Sequence, residues 1–140
     1  MKQQEKFVAE ATKTTPWVVL DKSKIIIMGR SIPDNPGDFY RPIYEKINNF
    51  VNSSPGIKIE LGFEYLNTSS TKWIYSIVKK LSKLKGIREK ARIIWYYEQG
   101  DEEMCDLGNI FREIVDCPFL LVEVDSLNGE NYSKFTHSFD

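Results

Sequence analysis

Histidine is almost missing from this 140-residue sequence: the single copy, His137, lies in a polar C-terminal stretch. A serine or cysteine nucleophile needs a base held beside it, so histidine-assisted hydrolysis is not expected. Cysteine is nearly as scarce. Cys105 and Cys117 stand too far apart for a CxxC pair, and no neighbouring histidine completes a ligand set, so both read as small apolar filler and no metal is expected. Neither sign of charge is in excess: 19 basic residues against 20 acidic ones leave a formal net charge of −1. That balance lacks the basic footprint of a nucleic-acid binder. The eight glycines are scattered singly, with no G-x-x-x-x-G-K-[ST] cradle, no G-x-G-x-x-G turn and no G-x-S-x-G elbow. No cofactor is expected. Long apolar runs are missing too: nothing approaches the ~18 residues of a membrane span. The first residues, MKQQEKFVAEATKTTP, are too polar for a signal peptide, so no membrane partner is expected and the cytoplasm is the expected location.

What is present is enough for one core, since 41% of the residues are hydrophobic. The expected organisation is a flexible N-terminus over 1–13, one folded domain over 14–125 and a polar tail over 126–140. WVVL from Trp17 and IIIM after Lys24 are short β-branched runs separated by DKSK, which reads as a hairpin. SIPDNPG is a cluster of turn residues whose prolines discourage helix before Pro36. From Phe39 to Val51 the apolar positions recur at helical spacing. Residues 57 to 65 then alternate, with Ile57, Ile59, Leu61, Phe63 and Tyr65 on one face, as a strand requires. Trp73, Ile74, Ile77, Val78, Leu81 and Leu84 return to helical spacing. ARIIWYY is a further strand, DEEM opens a third helix, and FLLVEV is the last strand. Strands alternating with helices imply right-handed crossovers, so the expected fold class is α/β: a mixed sheet of about five strands with three main helices.

Asp101, Glu102 and Glu103 sit in a helix first turn, where the positive end of the helix dipole favours them. Adjacent helical positions diverge, so convergence of all three on one ion or as a general base is not expected; a partner-binding patch is the other reading. The lysines between 72 and 83 read as a solvated face or a dock for an acidic partner. The most unusual stretch is YLNTSST at 65–71, four consecutive hydroxyls after an asparagine, where a strand pattern stops and a helix pattern starts. Backbone N–H groups at a helix start need acceptors, and Asn, Ser and Thr supply them, so one reading is a plain cap on a constitutive interaction module. The other uses the same geometry: a phosphate on such a hydroxyl carries about −1.5 to −2 charges into a position the dipole favours. Both stand on the residues alone.

The stretches SIPDNPGDFYRPI, FEYLNTSSTKWI, WYYEQGDEEMCDLGNIF and PFLLVEV resemble the SiaC-type regulatory phosphoproteins over residues 14 to 124. The resemblance implies a fold similar to the anti-sigma-factor-antagonist (STAS) domains, with no catalysis of its own. It implies phosphorylation by a partner Ser/Thr kinase with a histidine-kinase-like ATPase fold and removal of the phosphate by a PP2C-type phosphatase. It implies that the unphosphorylated form binds and regulates an effector, a diguanylate cyclase in the best-known case. Carried over by motif, the acceptor is Thr68, with Ser69 and Ser70 as competitors and Asn67 shaping the turn. Pro33, Asp34, Asn35 and Pro36, with Tyr96, Tyr97 and Asp101, are the expected contact residues, because parallel strands bring their C-terminal ends to one rim.

Overall fold

The computed structural model describes residues 6–52, 55–84 and 86–127. The sheet has six strands in sequential order: β1 (Phe7–Ala9), β2 (Trp17–Leu20), β3 (Lys24–Ser31), β4 (Ile57–Leu66), β5 (Ala91–Glu98) and β6 (Phe119–Val124). β1, β2 and β3 pair antiparallel, and β3 through β6 run parallel. The connecting helices are α1 (Pro36–Asn52), α2 (Thr68–Ser82), the single turn α3 (Ile87–Lys90) and α4 (Glu102–Arg112). The parallel order never reverses, and α1, α2 and α4 pack into one core on one face of the sheet, as crossovers of one hand require. The α/β class and the mixed sheet agree with the sequence reading, with six strands where about five were expected.

The additional strand is a correction to the N-terminus expected to be flexible over 1–13. Phe7 lies opposite Leu20 and Ala9 opposite Val18, so two side chains of β1 join the helix-covered face while Val8 is left exposed. The expected tail over 126–140 is also revised at its start. Leu127 is fully buried, and its N–H donates to Glu98 Oε2 at 2.9 Å. Residues 128–140, including His137, lie outside the described residues.

The β2–β3 turn is built by one side chain: Asp21 Oδ1 accepts from the Ser23 and Lys24 N–H groups at 2.8 and 2.9 Å. The main core fills the space between the sheet and the helices. Ile27, Ile59, Leu61, Phe63, Ile93 and Trp95 come from the strands, and Tyr40, Ile43, Ile74, Ile77 and Phe111 from the helices. A smaller cluster lies on the other face, where Val19, Ile26, Met28, Ile94 and Tyr96 gather with Leu127.

α1 meets α2 through aromatic rings, Tyr40 over Trp73 at 6.3 Å between centroids and Tyr44 edge-on to Trp73 at 6.0 Å. Lys80, expected on a solvated face, instead donates its ammonium to the Tyr44 carbonyl at 2.6 Å, 3.8 Å from the Tyr44 ring centre. α4 is seated by Trp95, whose indole N–H donates to the Met104 carbonyl at 2.8 Å and whose ring packs edge-on against Phe111.

That seat requires Gly108. A Cβ there would lie 2.5 Å from Trp95 Cδ1 and 2.8 Å from Nε1, and the ring it would strike is fully buried. Alanine gains about 1 kcal/mol in helix propensity over glycine, but overpacking against an immobile ring costs more. Gly108→Ala is expected to destabilise the fold by about 2 kcal/mol in urea unfolding; an unchanged midpoint would show that α4 is not held against Trp95.

Candidate functional site

The junction of β4 and α2 is where the hydroxyl-rich stretch falls. Strand pairing brings it there: Ser31 is opposite Leu66 at the end of the β3–β4 ladder, and the next N–H, of Asn67, donates to the Ser31 carbonyl at 3.1 Å. Asn67 has extended backbone angles (φ −82°, ψ 172°) and is the N-cap of α2. Its Oδ1 accepts the Ser70 N–H at 2.9 Å, and its carbonyl accepts both the Thr71 N–H and the Thr71 hydroxyl, each at 2.9 Å. The cap is therefore an amide. Thr68 and Ser69 are not used for it, and both side chains are exposed.

Ser70 is different. It is fully buried, and its hydroxyl accepts from Ser31 Oγ at 2.8 Å. Ser31 Oγ is in turn hydrogen-bonded to the Tyr40 hydroxyl, and Ser31 and Tyr40 are themselves fully buried. Burial pushes the Tyr40 phenol up to about 12, against the opposing effect of its bonds to Ser31 and Ser70. The expectation of Ser70 as a competing acceptor meets this burial: no enzyme reaches its oxygen without opening the first turn.

The other expected contact residues divide. The turn after Ser31 holds Asp34 and Asn35 exposed, with Pro33 half-buried and Pro36 as the first residue of α1. Tyr97 is half-buried, next to last in strand β5. Asp101 is committed to structure, its Oδ1 accepting the Met104 N–H at 3.2 Å as the N-cap of α4, while Glu102 and Glu103 face solvent. Among the described residues no group of three acidic, cysteine or histidine side chains could hold a metal ion. Tyr96 departs from expectation. It is 1% exposed, on the sheet face away from the helices, where burial and the nearby Glu60 carboxylate push its phenol upward. It presents nothing to a partner on the rim.

Sequence reasoning missed a groove. Thr68, Thr71, Lys72, Tyr75 and Ser76 of α2 face Leu107, Ile110 and Phe111 of α4 across a mostly apolar depression of about 470 Å³. Ile110 is 57% exposed and Tyr75 40%, so the apolar surface is open beside Thr68. Both residues lie next to a buried helical position, Tyr75 after Ile74 and Ile110 before Phe111, and widen the apolar stripe toward solvent. That widening was the available signal.

Two outcomes follow from this geometry. Asn67→Ala removes the side-chain N-cap of α2 and is expected to cost about 1 kcal/mol in chemical denaturation, while Ser69→Ala stays within about 0.5 kcal/mol. Tyr40 gives a pH dependence with a definite sign: its folded pKa, about 12, lies above the ordinary 10.0, so the stability it contributes is complete below pH 10.0 and falls as pH rises toward 12. Unfolding midpoints measured across that window should drop less in Tyr40→Phe than in the unaltered chain.

A family model described as SiaC family regulatory phosphoprotein matches residues 9–124. A protein of Pseudomonas aeruginosa (strain UCBPP-PA14), described only as uncharacterized, is 25% identical over 113 residues, covering 79% of this chain and 90% of its own. Among solved structures, SiaC of Pseudomonas aeruginosa superposes with a TM-score of 0.76 at 22% identity, covering 86% of this chain and all of that one. The SiaC solved with the diguanylate cyclase SiaD, of which it is named the activator, also gives 0.76, at 23% identity over 84% of this chain and 99% of that one. At those identities the superpositions establish the shared fold. The family model spans the whole parallel sheet, all of the helices and the hydroxyl-rich mouth of α2, and this chain belongs to the SiaC family of regulatory phosphoproteins, which regulate and do not catalyse.

Proposed function

We propose that the chain is a signalling adaptor switched by phosphorylation of Thr68. A partner Ser/Thr kinase with a histidine-kinase-like ATPase fold transfers the γ-phosphoryl group of ATP to the Thr68 oxygen, releasing ADP and the hydroxyl proton. A PP2C-type phosphatase restores the alcohol by hydrolysis. The unphosphorylated form binds and regulates an effector, a diguanylate cyclase, in the cytoplasm. The observation that carries the reading is that Asn67 already caps α2, leaving Thr68 exposed at the first helical position with no structural duty as a cap. An exposed hydroxyl at that position accepts a phosphate without unfolding, because the helix start favours negative charge and Lys72, one turn on, faces the same groove.

The consequence for binding is electrostatic. Among the described residues the unmodified mouth carries no acidic group, with Lys72 the one charged side chain lining the groove, and is continuous with the apolar surface of Tyr75, Leu107 and Ile110. A group of about −1.5 to −2 charges at its edge must be desolvated by any partner that covers it. Binding that buries this groove is therefore expected to weaken on phosphorylation. The SiaC–SiaD complex supports assigning a cyclase as the effector, and the shared fold carries that assignment to this chain as part of the proposal.

The alternative is the constitutive module, favoured by the fact that Asn67 already caps the junction, through its side chain to Ser70 and its carbonyl to Thr71, without any modification. Fragment mass spectrometry of protein purified from its own host, with and without phosphatase treatment, separates the two. One phosphate on Thr68, lost on treatment and absent from Thr68→Ala, is the expected result. An unmodified chain across growth conditions, or a phosphate on Ser69 that persists in Thr68→Ala, overturns the assignment.

A further inference from the structure

Three hydroxyls buried together in an apolar core are an expensive arrangement unless each satisfies another. Ser31, Tyr40 and Ser70 do so: each side chain is fully buried, and they form one chain from β3 to α1 and α2. A hydroxyl has one hydrogen, so with Ser31 donating to Ser70, Tyr40 donates to Ser31. Alanine and phenylalanine would fill nearly the same space without any polar atom, and exchanging all partners for apolar groups of like shape is close to neutral in stability. Stability alone therefore does not account for the chain of hydroxyls. Its ends do: one end, Ser70, lies two residues from Thr68, and the other, Tyr40, lies in the first turns of α1, four residues beyond Pro36.

We propose that Ser31, Tyr40 and Ser70 are positioning residues that tie the Thr68 mouth to the turn before α1, so that one phosphate on Thr68 alters both surfaces together. The inference rests on the reading of Thr68 as the modified residue. A phosphate at the first helical position competes with Asn67 Oδ1 for the first-turn N–H groups, that of Ser70 among them. Any shift of Ser70 strains its bond to Ser31, and Ser31 holds the chain at two further points: its carbonyl accepts the Asn67 N–H, and its hydroxyl accepts from Tyr40. Ile32 to Asn35 follow directly, and Tyr40 sits at the other end of that turn. The segment 32–39 is thus bracketed by two members of the chain, Ser31 and Tyr40. Asp34 and Asn35, exposed within it, respond to the phosphate without touching it.

The test is hydrogen exchange on the full chain with threonine or phosphothreonine built in at position 68 during translation, so the result does not depend on whether any kinase acts there. In the unaltered background the phosphate is expected to change amide exchange severalfold both in 67–75 and in 32–41. In the triple variant Ser31→Ala, Tyr40→Phe, Ser70→Ala, melting within a few degrees of the unaltered chain, the change is expected to stay within 67–75. A response confined to 67–75 in the unaltered chain overturns the proposal, and so does an equal 32–41 response in both backgrounds. Should the triple variant fail to fold, Ser70→Ala makes the same comparison, since it cuts the chain at the helix end. Failure of the kinase reading shows up elsewhere, as an unmodified Thr68 in protein from the host.

Discussion

The pairing of β3 with β4 is the constraint on which the site depends. Eight residues of β3 run in parallel register with β4 until Ser31 meets Leu66, with one shift between Gly29 and Arg30. Because the ladder ends there, the Asn67 N–H finds the Ser31 carbonyl and the chain turns into α2 at a fixed point. A register one residue longer would carry Asn67 past that carbonyl and exchange the faces of every following side chain. The same pairing delivers Ser31 Oγ to Ser70. One strand pair thereby sets the helix start, buries one hydroxyl of the cluster and leaves two outside.

The division of the hydroxyls follows from helical geometry. Successive positions at a helix start turn by about 100°, so of Thr68, Ser69 and Ser70 only one can point inward. Ser70 points to Ser31, which leaves Thr68 and Ser69 to solvent. With the cap assigned to an amide, the mouth combines exposed alcohols, first-turn N–H groups and an adjoining apolar groove. In the proposed switch, the fold tolerates the added charge and a covering partner does not.

Much of the fold was legible because period carries it. Alternation over 57–65 gave β4, and the change to helical spacing after Asn67 gave α2, with the inner positions Ile74, Ile77, Val78 and Leu81 buried as expected. β1 was missed because three residues are too few for a period and their partner strand decides their state. Tyr96 was misplaced because β5 is covered on both faces, so an unbroken apolar run does not reveal which side a residue takes. The groove was missed for a different reason: each widened stripe shows in the sequence, but Tyr75 and Ile110 are far apart there, and only the packing of α2 beside α4 brings them together. At the site itself, the hydroxyl cluster and its asparagine were evident from residues alone, whereas the inward turn of Ser70 depends on Ser31 and Tyr40, contributed by other elements.

In the proposed switch, the mouth of α2 is a contact surface that a single phosphate on Thr68 closes. The deciding measurement is titration calorimetry of the proposed effector, a diguanylate cyclase, with the full chain carrying threonine or phosphothreonine at position 68. Binding by the unmodified chain is expected, with a loss of at least about tenfold in affinity, roughly 1.4 kcal/mol, on phosphorylation. Equal affinities for the two forms would contradict it.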